Sequence, residues 1–250
     1  MKTNLKDVTF LVILKVDTIE RLENFLTCIS FLLKNFDTNI KVLEVDSFNN
    51  GIVKKLLNKR IKYSFVEDDD PILFRTKYLN DMMNAVNTPF IAVWDADVLL
   101  QPEQIIETMS ILRSGEADFI LPYEKKMLDT SPIIRKLFLK KNRITFLLRN
   151  MDKMKEMYPP EAVGGAFFCK LDAYIKLGLE NENFYGWGME DGERYIRWKF
   201  SIYKTKRIKG VIFHLSHPRG VNSFLSDSNQ SNIKLGLLEA ASRKAYFEKV

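Results

Sequence analysis

The chain holds only two cysteines in 250 residues, Cys28 and Cys169, far apart in sequence. That excludes a disulfide framework and a CxxC metal site, and it makes a reducing cytoplasm the expected location. No run of about 18 uncharged apolar residues occurs, so no transmembrane helix is expected. Residues 1–17 have a short apolar centre, but Asp7 and Asp17 flank it and no small-residue cleavage site follows. A buried first strand is read there, not a signal peptide. There is no glycine-rich phosphate loop near that strand, no internal repeat and no low-complexity tract. Histidine is scarce too: His214 and His217 are the whole supply.

What is present is an ordinary globular balance, 46% hydrophobic and 28% charged, with enough apolar content for a full core. The net charge of +6 is unevenly spread. Residues 125–157 carry ten basic and three acidic side chains, so the remainder is close to neutral. A basic stretch of this kind argues for a local anionic partner.

Apolar patterning predicts strands over 8–16, 40–45, 61–66 and 117–121, with another from Pro89 running straight into Asp95 and Asp97. Between them, helical spacing predicts helices over 18–35 (capped by Thr18), 51–58, 74–86 and 102–113, the last with Pro102 in its first turn. Strands alternating with helices predict an α/β fold with an open, mostly parallel, doubly wound sheet. Ligands in such sheets sit beyond the carboxyl ends of strands, where Asp95 and Asp97 fall. After Pro122 the alternation stops. The basic segment follows, then a strand after Gly164-Gly165, a short helix near 171–178, a loop over 181–190, a helix from about Asp191, a strand over 210–215 and a final helix over about 229–248. The expected organisation is one domain in three parts: the alternating half 1–121, a basic insertion 122–160, and a second half 161–250.

Three motifs carry chemistry. In Trp94-Asp95-Ala96-Asp97, two carboxylates at a strand end can converge on one cation; hard oxygen ligands suit Mg²⁺ or Mn²⁺, which bridge a diphosphate. In Gly186-Trp187-Gly188-Met189-Glu190-Asp191, glycines leave an indole face free for a sugar. Of the two carboxylates behind it, one can bind sugar hydroxyls and the other can act as general base. In His214-Leu215-Ser216-His217, the imidazoles reach one metal only if the strand ends at His214 and turns. Each motif has a plainer reading: a solvated acidic pair, a loop pinned by a core tryptophan, and one packing plus one surface histidine.

Taken with Gly164-Gly165-Ala166-Phe167-Phe168 and His217-Pro218-Arg219, these motifs resemble, in order and spacing over about residues 72–220, the β-1,4-galactosyltransferase-like group of GT-A glycosyltransferases. The resemblance implies a GT-A fold and an inverting, metal-dependent hexosyltransferase using Mn²⁺ or Mg²⁺. Its donor would be a UDP-sugar, and its acceptor a glycan or lipid-linked hydroxyl in surface polysaccharide synthesis. It implies Asp97 and His217 as metal ligands, with His214 where the family commonly has methionine, and Asp95 on the metal or the donor. Arg75, Asn80 and Gly165 fall to the donor, Trp187, Glu190 and Gly188 to the acceptor, and the catalytic base to Asp191. Gly192-Glu193 stand where the family usually has further aspartates. Two rivals remain at this point, a nucleotide-sugar nucleotidyltransferase and a non-catalytic carbohydrate-binding protein. Nucleic acid is not an expected partner. The basic segment, with apolar residues interleaved, suits peripheral contact with the inner face of a membrane through residues 125–157.

Overall fold

The computed structural model describes residues 2–223. The first 121 residues alternate strand and helix: β1 (Thr3–Leu14), α1 (Ile19–Asn35), β2 (Phe36–Asp46), α2 (Ile52–Leu56), β3 (Lys62–Glu67), α3 (Arg75–Asn84), β4 (Phe90–Trp94), β5 (Val98–Leu99), α4 (Pro102–Ser114) and β6 (Phe119–Leu121). Local chemistry explains several boundaries. The Thr18 hydroxyl accepts from the Arg21 amide at 3.2 Å and starts α1. Gln101 and Gln104 form a reciprocal capping box at α4, with Pro102 in its first turn, and Gly115 ends that helix in the left-handed region at φ 77°.

The second half is built from β7 (Met127–Asp129), α5 (Pro132–Lys141), α6 (Ile144–Leu148), β8 (Lys155–Met157), β9 (Ala166–Lys170), α7 (Leu171–Lys176), α8 (Glu190–Lys199), β10 (Thr205–Arg207) and β11 (Ile212–His214). The central sheet has seven strands in the order β10-β6-β9-β4-β1-β2-β3. From β3 the chain returns across β1 to add β4 on its other side, so a topological switch point opens at the carboxyl ends of β1 and β4. Phe10, Trp94 and Phe168, from the adjacent strands β1, β4 and β9, meet edge to face beneath it. All three are buried, each worth roughly 2–3 kcal/mol.

The sheet is less uniformly parallel than the alternation implies. β9 enters from the excursion at 122–160, not from a crossover helix, and lies antiparallel between β4 and β6. β1 stops at Leu14, two residues early, and Lys15 turns to donate to the Asp70 carbonyl. β10, a three-residue edge strand with no apolar alternation, leaves no trace in the sequence pattern. The helix expected over 229–248 lies outside the described residues.

The basic segment does not stand apart. β7 and β8 join β5 and β11 in a second sheet, ordered β5-β11-β7-β8. Ile134, Phe138 and Leu147 are buried, and so is Arg135, whose guanidinium reaches Asn24 Oδ1 at 2.7 Å and Glu23 Oε2 at 2.6 Å on α1. The side chains left outside include Ile133, 72% exposed, Leu137, Lys136, Lys140, Lys141 and Arg143.

Candidate active site

The site grows from the end of β4. Five apolar or aromatic residues pull that strand into the sheet, and the chain leaves it at Asp95. The Asp95 amide donates to the Gly165 carbonyl at 2.8 Å, and the Trp94 indole N–H donates to the Val98 carbonyl at 3.1 Å. These bonds close a turn that sends the chain back as β5, antiparallel to β11 with Val98 opposite His214. The Leu215 amide then donates to the Asp97 carbonyl at 2.7 Å. Asp97 and the histidines are thus brought together by backbone pairing, independently of any ion.

β11 ends at His214, and the irregular backbone after it lets both imidazoles face one carboxylate. Asp97 Oδ2 lies 3.1 Å from His217 Nε2 and 3.7 Å from His214 Nε2. Each ring is fixed from behind. His214 Nδ1 lies 2.8 Å from Asp129 Oδ1, and His217 Nδ1 lies 2.8 Å from the Pro218 carbonyl. Both outer partners are acceptors, so each Nδ1 donates, and each Nε2, once it gives up its proton, turns a lone pair to the centre. Burial alone would raise the Asp97 carboxyl, but the His214 charge and the His217 hydrogen bond outweigh it and hold it well below the usual range. Burial likewise disfavours protonated His214, yet Asp97 and Asp129 win and raise it. One oxygen and two nitrogen ligands within 4.8 Å of one another fit a divalent metal. Asp97, His214 and His217 would hold it.

Asp95 lies outside that cluster. Arg75, at the start of α3, donates from Nη2 to Asp95 Oδ1 at 2.6 Å. Burial raises the Asp95 carboxyl above its ordinary value; Arg75 opposes this, while Asp97 and Asp191 add to it. Arg75 Nη1 and Arg21 Nη2 are buried without a hydrogen-bond partner among the described residues. Both arginines line a cavity of about 580 Å³ that also takes in Asp95, Asp97, both histidines, Gly165, Trp187, Gly188, Glu190 and Asp191. A buried donor with nothing to bind is costly, so these two point to an anionic ligand.

The other carboxylates come from the amino end of α8. Gly186 and Gly188 have positive φ (81° and 123°), and Met189 turns at φ 68° to start the helix at Glu190. The Gly188 amide donates to Glu190 Oε2 at 2.9 Å. Glu190 is buried, and burial first, then the neighbouring Asp191 charge, push its carboxyl up to about 7. Asp191 is half-buried and pairs with Arg194 one turn along. Its Oδ2 lies so close to Gly164 that an added Cβ there would collide with it. Gly165, at φ 85°, is left-handed, and a Cβ there would meet Met127 Cε at 2.8 Å.

Ten of the eleven residues singled out from the sequence therefore share one cavity. Asn80 is the exception. Its amide donates to the Glu180 carbonyl at 3.1 Å and to Glu182 Oε1 at 2.7 Å, and its oxygen accepts from the Glu180 amide at 2.9 Å. It ties α3 to the loop after α7 and is not among the residues that line the cavity. Sequence reasoning missed Arg21, Asp129 and Arg194. Arg194, three residues after Asp191 on one helix face, was within reach of helical spacing. Asp129, one of three acids in the basic stretch 125–157, carried no signal.

Residues 146–219 match the family model described as the N-terminal domain of galactosyltransferase. That range includes the Gly164-Gly165 strand, the Trp187–Asp191 motif and both histidines, but begins after the aspartate turn. No curated protein sequence matches. Among 405 matching chains of solved structures is the crystal structure of S. aureus TarS 1–349, a GT-A glycosyltransferase. It is 12% identical with a TM-score of 0.59, over 97% of this chain and 68% of that one. At that identity the likeness carries the fold alone. Among the described residues no helix is long and apolar enough to cross a membrane. The chain thus carries, over residues 146–219, a segment similar to galactosyltransferases that holds the Trp187–Asp191 motif and both histidines, set in a GT-A fold.

Proposed function

We propose that the protein moves a sugar from a UDP-sugar to a hydroxyl of a glycan or lipid-linked acceptor, with inversion, in surface polysaccharide synthesis. The observation that carries this reading is the sharing of one cavity by a carboxylate–bis-histidine cluster, two arginines with buried unpaired nitrogens, and Asp191. Asp97, His214 and His217 would hold a divalent ion, Mn²⁺ or Mg²⁺, which would supply positive charge for the leaving diphosphate. Arg75 Nη1 faces the same demand, and fixed charge aimed at a leaving group in a desolvated site is among the strongest contributions an enzyme makes. Asp191 takes the proton of the acceptor hydroxyl. The acceptor oxygen bonds to the anomeric carbon, the bond from that carbon to the diphosphate oxygen breaks, and its electron pair leaves with UDP. Attack opposite the leaving group inverts the centre, and one base suffices. Trp187 offers a sugar-stacking face, and Glu190, titrating near neutrality, both accepts and donates hydrogen bonds to sugar hydroxyls.

A lipid-linked acceptor gives the outer face of α5 a use. Ile133 and Leu137, one turn apart, are flanked by Lys136, Lys140, Lys141 and Arg143, a combination that suits the surface of an anionic bilayer. The reading is tested by screening UDP-sugars for metal-dependent release of UDP. Release that is stimulated by a hydroxyl acceptor and lost in Asp97→Ala supports it. Release of pyrophosphate instead would favour a nucleotidyltransferase.

A further inference from the structure

The partners of Asp191 extend well behind the cavity. Arg194 Nη2 pairs with Asp191 Oδ1, while Arg194 Nη1 donates to Glu180 Oε1 and Oε2 at 2.8 and 2.9 Å. One guanidinium thus gives a separate nitrogen to each carboxylate. Arg194 and Glu180 are both almost fully buried, and the guanidinium lies over the Phe167 ring at 4.4 Å, two residues after Gly165. Glu180 is fixed in turn, because its amide and carbonyl are both bound by the Asn80 side chain. A continuous chain of contacts therefore runs from α3 through Asn80, Glu180 and Arg194 to Asp191. α3 is also the helix whose first residue, Arg75, binds Asp95.

We propose that Arg194, anchored by Glu180, is a positioning residue for the transfer reaction: it holds Asp191 Oδ1 so that Oδ2 is presented at the cavity wall beside Gly164. This rests on Asp191 being the base. A buried arginine is costly unless paired, and Glu180 supplies the pairing that leaves the second nitrogen for Asp191. A freely rotating aspartate would sample its rotamers, whereas one gripped on Oδ1 keeps the geometry that proton transfer needs.

The test uses the full chain and three variants. Asp191→Asn checks the reading on which the inference rests. Arg194→Met combined with Glu180→Gln removes both buried charges together, and Glu180→Gln alone weakens the anchor at nearly constant shape. The double variant is expected to keep donor KM and lower kcat tenfold to a hundredfold. Glu180→Gln is expected to lower kcat less, in the same direction, and it serves if the double variant does not fold. Asp191 is faced by Arg75, Asp95, Glu190, Tyr123 and Tyr158 as well as Arg194. Removing Arg194 takes away the positive charge in direct contact, so the acid limb of the kcat–pH profile moves to higher pH. A purely structural role would lower the amount of folded enzyme and leave that limb in place. If Asp191→Asn is inactive while the folded double variant, or Glu180→Gln in its stead, keeps wild-type kcat and pH profile, the inference is overturned and the base assignment stands. If Asp191→Asn retains turnover, the base assignment itself fails.

Discussion

Gly164→Ala is a one-methyl probe of the base. Gly164 has no left-handed φ, so alanine meets no backbone strain there. The obstacle is Asp191: the new Cβ would overlap Oδ2 and lie 3.0 Å from Cγ. The carboxylate cannot simply swing away, because Arg194 holds its other oxygen and is itself fixed by Glu180. Accommodation therefore displaces the carboxylate by something near 1 Å. A misplacement of that size costs about a hundredfold in rate, or about 2.7 kcal/mol of transition-state stabilisation. The overpacking cost to the fold is about 1–3 kcal/mol. The assay is steady-state UDP release, with folding checked by thermal unfolding, in Gly164→Ala, Asp191→Ala and the double variant. The methyl should cut kcat about a hundredfold in the wild-type background and change little once Asp191 is gone. Near-normal kcat in folded Gly164→Ala, or equal losses in both backgrounds, would refute the placement of Asp191 as the base.

Four further outcomes follow from the site. Excess chelator and Asp97→Ala should each abolish transfer, with the variant also losing donor affinity in a direct binding assay; full activity in chelator rules out metal dependence. Asp191→Asn should bind UDP normally and lower kcat about a hundredfold or more, as for a lost general base, and near-normal turnover would move the role to Glu190. Because Glu190 titrates at about 7 when folded against an ordinary 4.5, its contribution to stability is complete below pH 4.5 and is lost as pH rises through 7. Glu190→Gln should thus match the wild type in denaturant unfolding at pH 4.5 and exceed it by about 3 kcal/mol at pH 8, an excess whose absence removes the buried-acid argument. Binding to anionic vesicles at low salt should be lost in Lys140→Glu/Lys141→Glu/Arg143→Glu with transfer to a soluble acceptor intact, and a wild type that ignores such vesicles ends the membrane proposal.

The sequence by itself determined the alternation of β1 to β6, the strand end that carries Asp95 and Asp97, and the motif leading into Asp191, because apolar periodicity, caps and turn residues act over a few positions. It named both histidines but could not decide their convergence, since residues three apart on a continuing strand face opposite ways. That was decided by where β11 stops and by its pairing with β5, a contact across more than a hundred residues. Tertiary structure alone supplied the bonds of Asn80 to the Glu180 loop and made Arg135, one base among ten in its stretch, a buried tie to α1. It also inserted β9 antiparallel at the centre of the sheet. Asp129 and Arg194 have meaning only through partners that folding supplies. A charged residue's role is set by what it faces after the chain has closed, and composition records only that the charge exists.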